Sequence, residues 1–468
     1  MVRAADDAGK IRAYLASHVP RNRAGSAASS GGRGILLLST IAAAGRPRGR
    51  PAALRPLACA RVHDDAALQA QLAYLERSSP FYRERIAGAR RLADIPLLTK
   101  GDLRASQAAR PPFGEHLCAP REALVRLHVT SGTTGEPVAI GLTRADHEAN
   151  SAIGGAAFAI AGLRPDDVIA HCLNYALYAG GIADHMAIEA SGATVVPVGV
   201  GQSLRLLDLI PRLGLTAIYG TLSFPAHLAG RAHEAGIDPA ALGLRHIVTA
   251  GEPGAGLGAV RAQIEATWGA TVADSFGMSD VWSTMAGECE ARAGLHLTTA
   301  GHAVLEVVEP GTETPIALED DAYGELVWTH LRREASPLLR YRSGDLGRVW
   351  TARCVCGRTS PRIRIEGRVD DMLRVQAVNV HPGAIGAVLG RFTGLGRYAV
   401  VADGDPIVPP LRVFVETADG VEGVAETLRS ELGARFDVRA VAPGALPVGE
   451  QKTRVVYRTA RGEELELR

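Results

Sequence analysis

Between Val168 and Ala273 five short apolar runs alternate with four segments whose apolar residues recur at helical spacing. The runs are Val168–Leu173, Thr194–Val198, Ala217–Gly220, His246–Thr249 and Thr271–Ala273. The helical segments are Tyr178–Ser191, Leu204–Leu213, Pro225–Ala235 and Val260–Thr267. Strands too far apart for hairpins, each followed by a helix, leave few folds open: a parallel sheet covered by helices, the α/β class. In such a sheet ligands bind beyond the carboxyl ends of the strands. Two glycine turns fall there, Ala250-Gly251-Glu252-Pro253 and Asp274-Ser275-Phe276-Gly277-Met278-Ser279-Asp280.

Ahead of this region stands Val129-Thr130-Ser131-Gly132-Thr133-Thr134-Gly135-Glu136-Pro137. Its glycines let the backbone approach a ligand, and its hydroxyls and bare N–H groups suit phosphate oxygens. No lysine follows the last glycine, so it is not a nucleotide loop of the G-x-x-x-x-G-K-[ST] type. A polar surface loop is the competing reading. Upstream, Leu68, Leu72 and Leu75 mark a helix that ends at Ser78-Ser79-Pro80, and Thr99 reads as the cap of another, with Asp102 three residues on.

The chain has 468 residues, so two or three domains are expected. Beyond Leu295 short strands dominate, at Ala303–Val308, Glu325–His330 and Leu338–Tyr341. The last hundred or so residues show strands at Tyr398–Val401 and Leu411–Glu416 and a helix at Val424–Leu432. The expected architecture is an extension over 1–63, a large domain over 64–369 with a β-rich subdomain at about 296–366, and a small mobile α+β domain over 370–468. The extension carries eleven Lys/Arg against Asp6 and Asp7 and reads as partly disordered. Its apolar run at Gly34–Ile41 lies too far in for an export signal. A net charge of +1 favours neither nucleic acid nor an anionic membrane, and no apolar run is long enough to span one. Six cysteines in a chain of this length fit a reducing cytoplasm.

Several motifs in fixed order resemble the adenylate-forming enzymes, the superfamily of acyl-CoA synthetases, nonribosomal-peptide adenylation domains and luciferases. They are Val129–Pro137, Tyr341-Arg342-Ser343-Gly344-Asp345, Gly367-Arg368-Val369-Asp370-Asp371 and Gly449-Glu450-Gln451-Lys452-Thr453-Arg454-Val455. Ser79-Pro80-Phe81-Tyr82, Pro96–Leu103, Tyr178-Ala179-Gly180-Gly181, Phe276-Gly277-Met278-Ser279, Cys354-Val355-Cys356-Gly357 and Val378-Asn379-Val380-His381-Pro382 resemble the phenylacetate–CoA ligase branch. The resemblance implies ATP-dependent activation of a carboxylic acid to an acyl-adenylate, followed by transfer to CoA. It puts the β- and γ-phosphates on Thr130, Ser131, Gly132, Thr133, Thr134 and Gly135. The adenine falls beside Gly251, Glu252 and Pro253, with Asp274, Ser275, Phe276, Gly277 and Met278 completing the nucleotide site. Asp345 would accept the ribose hydroxyls and Arg368 would neutralise phosphate or orient the small domain. Lys452 would bridge carboxylate and α-phosphate, Asp370 would be the hinge, and Asp280 would hold Mg²⁺.

Four residues depart from the family pattern: Glu136 stands where lysine is usual, Asp280 where glutamate is usual, Phe276 where tyrosine is common, and Ala377 where a glycine lines the thiol tunnel. Ala377 leaves the acceptor open between CoA, an amine, a carrier-protein thiol and nitrite in a diazotising reaction. A non-catalytic sensor of nucleotide or aryl acid is the other class; Lys452 and Asp345 speak against it. Asn174, Tyr175, Tyr178, Ala179 and Gly180, with Tyr219, Gly220, Ser275 and Phe276, make a flat slot for an aromatic acid; two of the tyrosines and the amide offer donors to ring hydroxyl or amino groups, and a place in the core is the competing reading for each tyrosine. Cys289, His296, Cys354 and Cys356 form a three-thiolate, one-imidazole set of the structural zinc type; buried cysteines acting as small hydrophobes are the alternative. A small aromatic acid and CoA or another acceptor are the expected partners, and a homodimer is among the expected assemblies.

Overall fold

The structure is a computed structural model and describes residues 65–130, 136–177, 179–252, 258–369, 371–376, 378–404, 406–446 and 455–459. Ser131 to Gly135, Tyr178, Pro253, Asp370, Ala377 and Lys452 therefore lie outside the described residues, as does the extension.

Strands β1 (Arg126–Val129) and β2 (Ala139–Leu142) pair antiparallel and form the neck of the hydroxyl-rich loop. The alternating region gives β3 (Val168–His171), β4 (Thr194–Pro197), β5 (Ala217–Gly220), β6 (His246–Thr249) and β7 (Thr271–Phe276), all parallel in the order β4-β3-β5-β6-β7. The chain leaves β3 to one side for β4 and to the other for β5, so the crevice beyond β3 and β5 is the switch point of the sheet.

The strands expected as a smaller β-rich unit continue this same sheet. They are β8 (Ala286–Glu288), β9 (Leu295–Leu297), β10 (Ala303–Val308), β11 (Pro315–Ile316), β12 (Ala322–His330), β13 (Tyr341–Trp350) and β14 (Arg362–Arg368). From β7 the order runs β8-β9-β14-β13-β12-β10-β11, giving a twelve-stranded sheet. The seam between its halves is thin: β9 meets β14 at two register positions, His296 opposite Arg362 and Leu295 opposite Ile363.

Two strands differ from the sequence reading. β7 runs three residues past Ala273, so Asp274, Ser275 and Phe276 lie in the strand rather than in a turn. Their polar groups are satisfied inside the sheet: Ser275 Oγ donates to the Thr249 carbonyl at 2.9 Å. The strand expected over Leu338–Tyr341 begins only at Tyr341, because Arg340 takes a left-handed φ of 49° and interrupts the extended run.

Helix starts follow local chemistry. Thr99 accepts from the Asp102 N–H while the Asp102 carboxylate accepts from the Thr99 N–H at 2.8 Å, which fixes the helix Lys100–Ala109. Thr143 and Asp146 do the same for Arg144–Ile160. That helix crosses Ala179–Ser191 at Gly154, where a Cβ would come within 2.5 Å of Ala187 Cβ. Small residues let this helix pair lie close, and Phe158, Ile169, Ile188, Tyr219 and Val248 form the core beneath it. The opposite face of the parallel strands buries Leu206, Ile210, Ile218, Leu228, Ile247 and Trp268.

After Arg368 come β15 (Leu373–Val375), β16 (Val378–Val380), β17 (Leu395–Asp403), β18 (Leu411–Thr417), β19 (Phe436–Val441) and β20 (Val456–Thr459). The last four form a separate sheet in the order β19-β18-β17-β20, covered by helices Pro382–Leu389 and Val424–Leu432. This small α+β unit has its own core, including Val400, Val413, Val415, Ile385 and Leu428. No helix among the described residues is long and apolar enough to cross a membrane.

Candidate active site

Thr130 is buried at the loop neck. Its hydroxyl accepts from the Val138 N–H at 3.0 Å, and its own N–H reaches the Val138 carbonyl at 3.0 Å. This pair of bonds closes the neck of the hairpin between β1 and β2. The helix Lys100–Ala109 braces the far side: Arg104 Nε donates to the Glu136 carbonyl at 2.7 Å, and Gln107 Oε1 accepts from the Ala139 N–H at 3.0 Å.

Asp280 follows β7 on a tight turn in which the Met278 N–H reaches the Trp282 carbonyl at 2.8 Å. Gly277 opens that turn, and only glycine fits there: a Cβ would fall 1.8 Å from the Ser283 carbonyl oxygen. Asp280 Oδ2 lies 3.4 Å from Lys100 Nζ, while Oδ1 is buried without a hydrogen-bond partner among the described residues. The second carboxylate, Asp345, sits on β13 opposite Arg368 on β14 and is 5% exposed. Arg368 Nη1 donates to Asp345 Oδ1 at 2.8 Å, which aims that carboxylate. Tyr341 ties the two acids together. Burial, first, and the charges of Asp280 and Asp345 push its phenol well above the ordinary value, while Arg368 opposes them. The charges of Asp280, Asp345 and Arg368, which come from the turn after β7, from β13 and from β14, thus all act on one buried phenol.

At the β6 end, Gly251 turns with φ 79°, and Glu252 accepts from Ser223 through its N–H at 2.8 Å and its hydroxyl at 3.0 Å. The Glu252 side chain thereby pins the start of the helix Phe224–Glu234. Asp274 takes the Thr249 hydroxyl at 3.3 Å and its neighbour's N–H at 3.0 Å. Its carboxyl is pushed up to about 7 by burial first and by the Glu288 charge second.

At the switch point, Asn174 Oδ1 accepts from the Ala176 N–H at 2.9 Å and curls the segment that leads to Leu177, which has φ 65°. The half-buried Tyr175 hydroxyl lies 3.0 Å from His185 Nδ1, and His185 Nε2 lies 3.4 Å from Glu189. Ala179 is buried and Gly180 half-buried beside them. Tyr219 belongs to the core: its ring is fully buried edge-on to Phe158, and its hydroxyl donates to Asp184 at 2.8 Å. It forms a floor rather than a free donor, and Gly220 above it packs on Phe224.

Two residues here escape a sequence reading. Asp184 is buried in the helix Ala179–Ser191, accepts from Tyr219 and Thr284, and is pushed up to about 6 by burial. His171, the last residue of β3, is fully buried between Tyr175 and Tyr219, and neither ring nitrogen has a hydrogen-bond partner among the described residues. Burial lowers its imidazole to about 4, so it is neutral. A lone His or Asp in an apolar stretch carries no spacing signal; only the fold shows that both meet at the switch point.

Cys289, His296, Cys354 and Cys356 converge, with all four ligand atoms within 4.8 Å of one another. Cys289 Sγ is 3.9 Å from Cys354 Sγ, and Cys356 Sγ is 3.4 Å from His296 Nε2. The other ring nitrogen, Nδ1, meets Ser360 Oγ at 3.0 Å, and burial holds the imidazole neutral at about 4. Two ligands come from the β8–β9 side of the thin seam and two from the β13–β14 side.

The sequence profile of the AMP-binding enzyme family matches residues 61–330. A phenylacetate–coenzyme A ligase of Thermus thermophilus is 36% identical over 342 residues, covering 70% of this chain and 75% of that protein. One from Escherichia coli K12 is 32% identical over 435 residues, covering 86% and 97%. Among solved structures, 2-hydroxyisobutyryl-CoA ligase in its postadenylation state, bound to an acyl-AMP, superposes with a TM-score of 0.76 at 30% identity, over 84% of this chain and 88% of that one. The same enzyme in the thioesterification state, with acyl-AMP and CoA, gives 0.62 at 31% identity, over 88% and 91%.

Proposed function

This chain belongs to the AMP-binding enzymes, within their phenylacetate–CoA ligase branch of AMP-forming ligases, and on that premise we propose that it activates an aromatic carboxylic acid with ATP and hands the acyl group to CoA. The observation that carries the reading is the Asp345 carboxylate held by Arg368 across β13 and β14, with the Asp280 carboxylate at the turn after β7. In the first step a substrate carboxylate oxygen attacks the α-phosphorus, the bond to the β-phosphate breaks, and pyrophosphate leaves. Asp345, aimed by Arg368, accepts the ribose hydroxyls; two acceptor oxygens match a vicinal diol. Asp274, when ionised, accepts from the adenine amino group. Lys452, carried by the small unit, draws the carboxylate and α-phosphate together as charge builds on them. In the second step the CoA thiol attacks the acyl carbon and AMP leaves, after the small unit turns about Asp370 and brings Ala377 to the thiol path. The better superposition on the postadenylation state supports an adenylation-type placement of the small unit here.

The unpartnered Oδ1 of Asp280 suits a hard cation, and Asp280 is the residue that would hold Mg²⁺. Bound there, Mg²⁺ would neutralise phosphate charge. The four Cys/His atoms suit zinc with every position filled by protein, so it would not activate water. It would clamp the two halves of the sheet where β9 and β14 share only two register positions.

The acid would lie at the switch point, against Tyr175, Asn174, Ala179, Gly180 and Gly220, with Tyr178 from the same turn. The Asn174 amide and the Tyr175 hydroxyl at its wall support a hydroxy- or aminobenzoate or a cinnamate at least as well as phenylacetate. Glu136 and Ala377 favour a second reading in which adenylation is kept and the acceptor is an amine, a carrier-protein thiol or nitrite. Pyrophosphate release with a panel of aromatic acids, with and without CoA, tests both. Acid-dependent release with thioester formation supports the first. Release without thioester, quickened by an amine or nitrite, supports the second. No acid-dependent release rejects both.

A further inference from the structure

We propose that Lys100 is the side chain that binds the β- and γ-phosphates of ATP, supplying from a separate helix the positive charge that the hydroxyl-rich loop lacks. Residues 129–137 contain no lysine or arginine and end on the exposed acid Glu136. Hydroxyls and N–H groups alone would leave a triphosphate poorly neutralised even with one Mg²⁺, since ATP carries about four negative charges and a hydrogen bond to a charged partner is roughly twice as strong as a neutral one. Lys452 is assigned to the α-phosphate and Arg368 is held by Asp345, so a cation for the two outer phosphates must reach the site from another element.

The helix Lys100–Ala109 is fastened to the loop's exit by Arg104 on the Glu136 carbonyl and by Gln107 on both Pro137 and Ala139. Arg104 is one helical turn after Lys100, so both side chains lie on one face. Arg104 is spent on the loop backbone, whereas Lys100 reaches past it to Asp280, 3.4 Å away. The Thr99–Asp102 capping box fixes the first turn of the helix, and with it the origin of the Lys100 side chain. Lys100 therefore starts from the helix that braces the loop neck and reaches the carboxylate that would hold Mg²⁺. A contact of 3.4 Å between partly exposed groups is weak and easily exchanged. When Mg²⁺ and ATP arrive, Asp280 turns to the metal and the Lys100 ammonium to the phosphate oxygens beside it. The proposal rests on the adenylation reading only for the place of the triphosphate.

Nucleotide binding tests it without knowledge of the acid. In titrations of the full chain, Lys100→Ala should weaken MgATP binding by about 10- to 100-fold, the range of one hydrogen bond between charged groups, and leave AMP binding within about twofold, because AMP lacks the two outer phosphates. Lys100→Arg should keep most of the affinity. Adding Glu136→Lys to Lys100→Ala should restore at least about tenfold, by returning a cation from the loop side. Should Lys100→Ala fold poorly, Lys100→Gln keeps the stem and loses only the charge; melting curves report folding for each variant. Unchanged MgATP binding, or equal losses for ATP and AMP, overturns the proposal. Absence of acid-dependent pyrophosphate release in the native protein would instead fault the proposed reaction, and the ATP/AMP comparison would still decide the role of Lys100.

Discussion

Arg261→Met tests the energetics beneath the adenine end of the site. Arg261, on the helix Gly258–Trp268, donates to Glu288 on β8 at 2.7 Å, and both side chains are less than a tenth exposed. The same Glu288 oxygen accepts from the Asp274 N–H at 3.1 Å. Methionine keeps much of the apolar volume of arginine but leaves Glu288 as a buried, uncompensated carboxylate. Breaking a buried pair in this way costs about 3–5 kcal/mol. For a cooperative unit of about 300 residues that corresponds to a fall in Tm of about 5–8 °C. Adding Glu288→Gln removes the stranded charge and should recover most of the loss, since a pair replaced as a whole is close to neutral. Calorimetry of the two single variants and the double variant closes the cycle. A fall below about 2 °C in Arg261→Met, or no recovery in the double variant, would mean that water or another cation reaches Glu288 and that the pair does not carry the charge of this corner.

The acidity of Asp274 gives a second prediction. Its folded value of about 7 lies above the ordinary carboxyl value, so ionisation here costs stability as pH rises toward 7, while on the proposed reading the ionised form is the stronger acceptor for the adenine amino group. ATP affinity should therefore fall as pH drops from about 8 to 6, and Glu288→Gln should move that limb to lower pH by removing the like charge; a flat binding profile contradicts it. One zinc per chain should be found by elemental analysis of protein purified without added metal. Stripping it should lower Tm, and a metal-free protein of undiminished stability would sink the clamp at the β9–β14 seam. Lys452→Ala should abolish adenylation yet spare thioester formation from supplied acyl-adenylate; equal loss of both half-reactions would make the lysine structural. His171→Phe should raise stability by about 1 kcal/mol or leave it unchanged, because it removes a buried imidazole that has no hydrogen bond. A clear fall would mean that His171 has a partner within the protein.

Features written in short-range pattern were legible before the fold was known. The alternation from Val168 to Thr271 set the parallel strands, and Thr99 with Asp102 set a helix start that the structure reproduces bond for bond. The spacing of Cys289, His296, Cys354 and Cys356 anticipated a cluster that only a sheet bringing β9 beside β14 can assemble. What stayed hidden depends on tertiary partners. Asp274 and Ser275 look like turn residues until Thr249 and Glu288 are seen to satisfy them within a strand. Tyr219 reads as a slot-lining donor until Asp184 takes its hydroxyl. The continuity of the two sheet halves was equally hidden, because β7 to β9 join them through strands of three to six residues. His171 and Lys100 carry no local signature: one stands out by a missing bond, the other by what its helix is fastened to.

The most direct test of the central claim follows one oxygen atom. An aromatic acid labelled with ¹⁸O in its carboxylate, turned over with MgATP and CoA, should pass one labelled oxygen to AMP and none to pyrophosphate. The oxygen that attacks the α-phosphorus remains on it when the thiol displaces the adenylate. Label in inorganic phosphate together with ADP, or AMP formed without label, would contradict an acyl-adenylate intermediate and the site assembled around Asp280, Asp345 and Arg368.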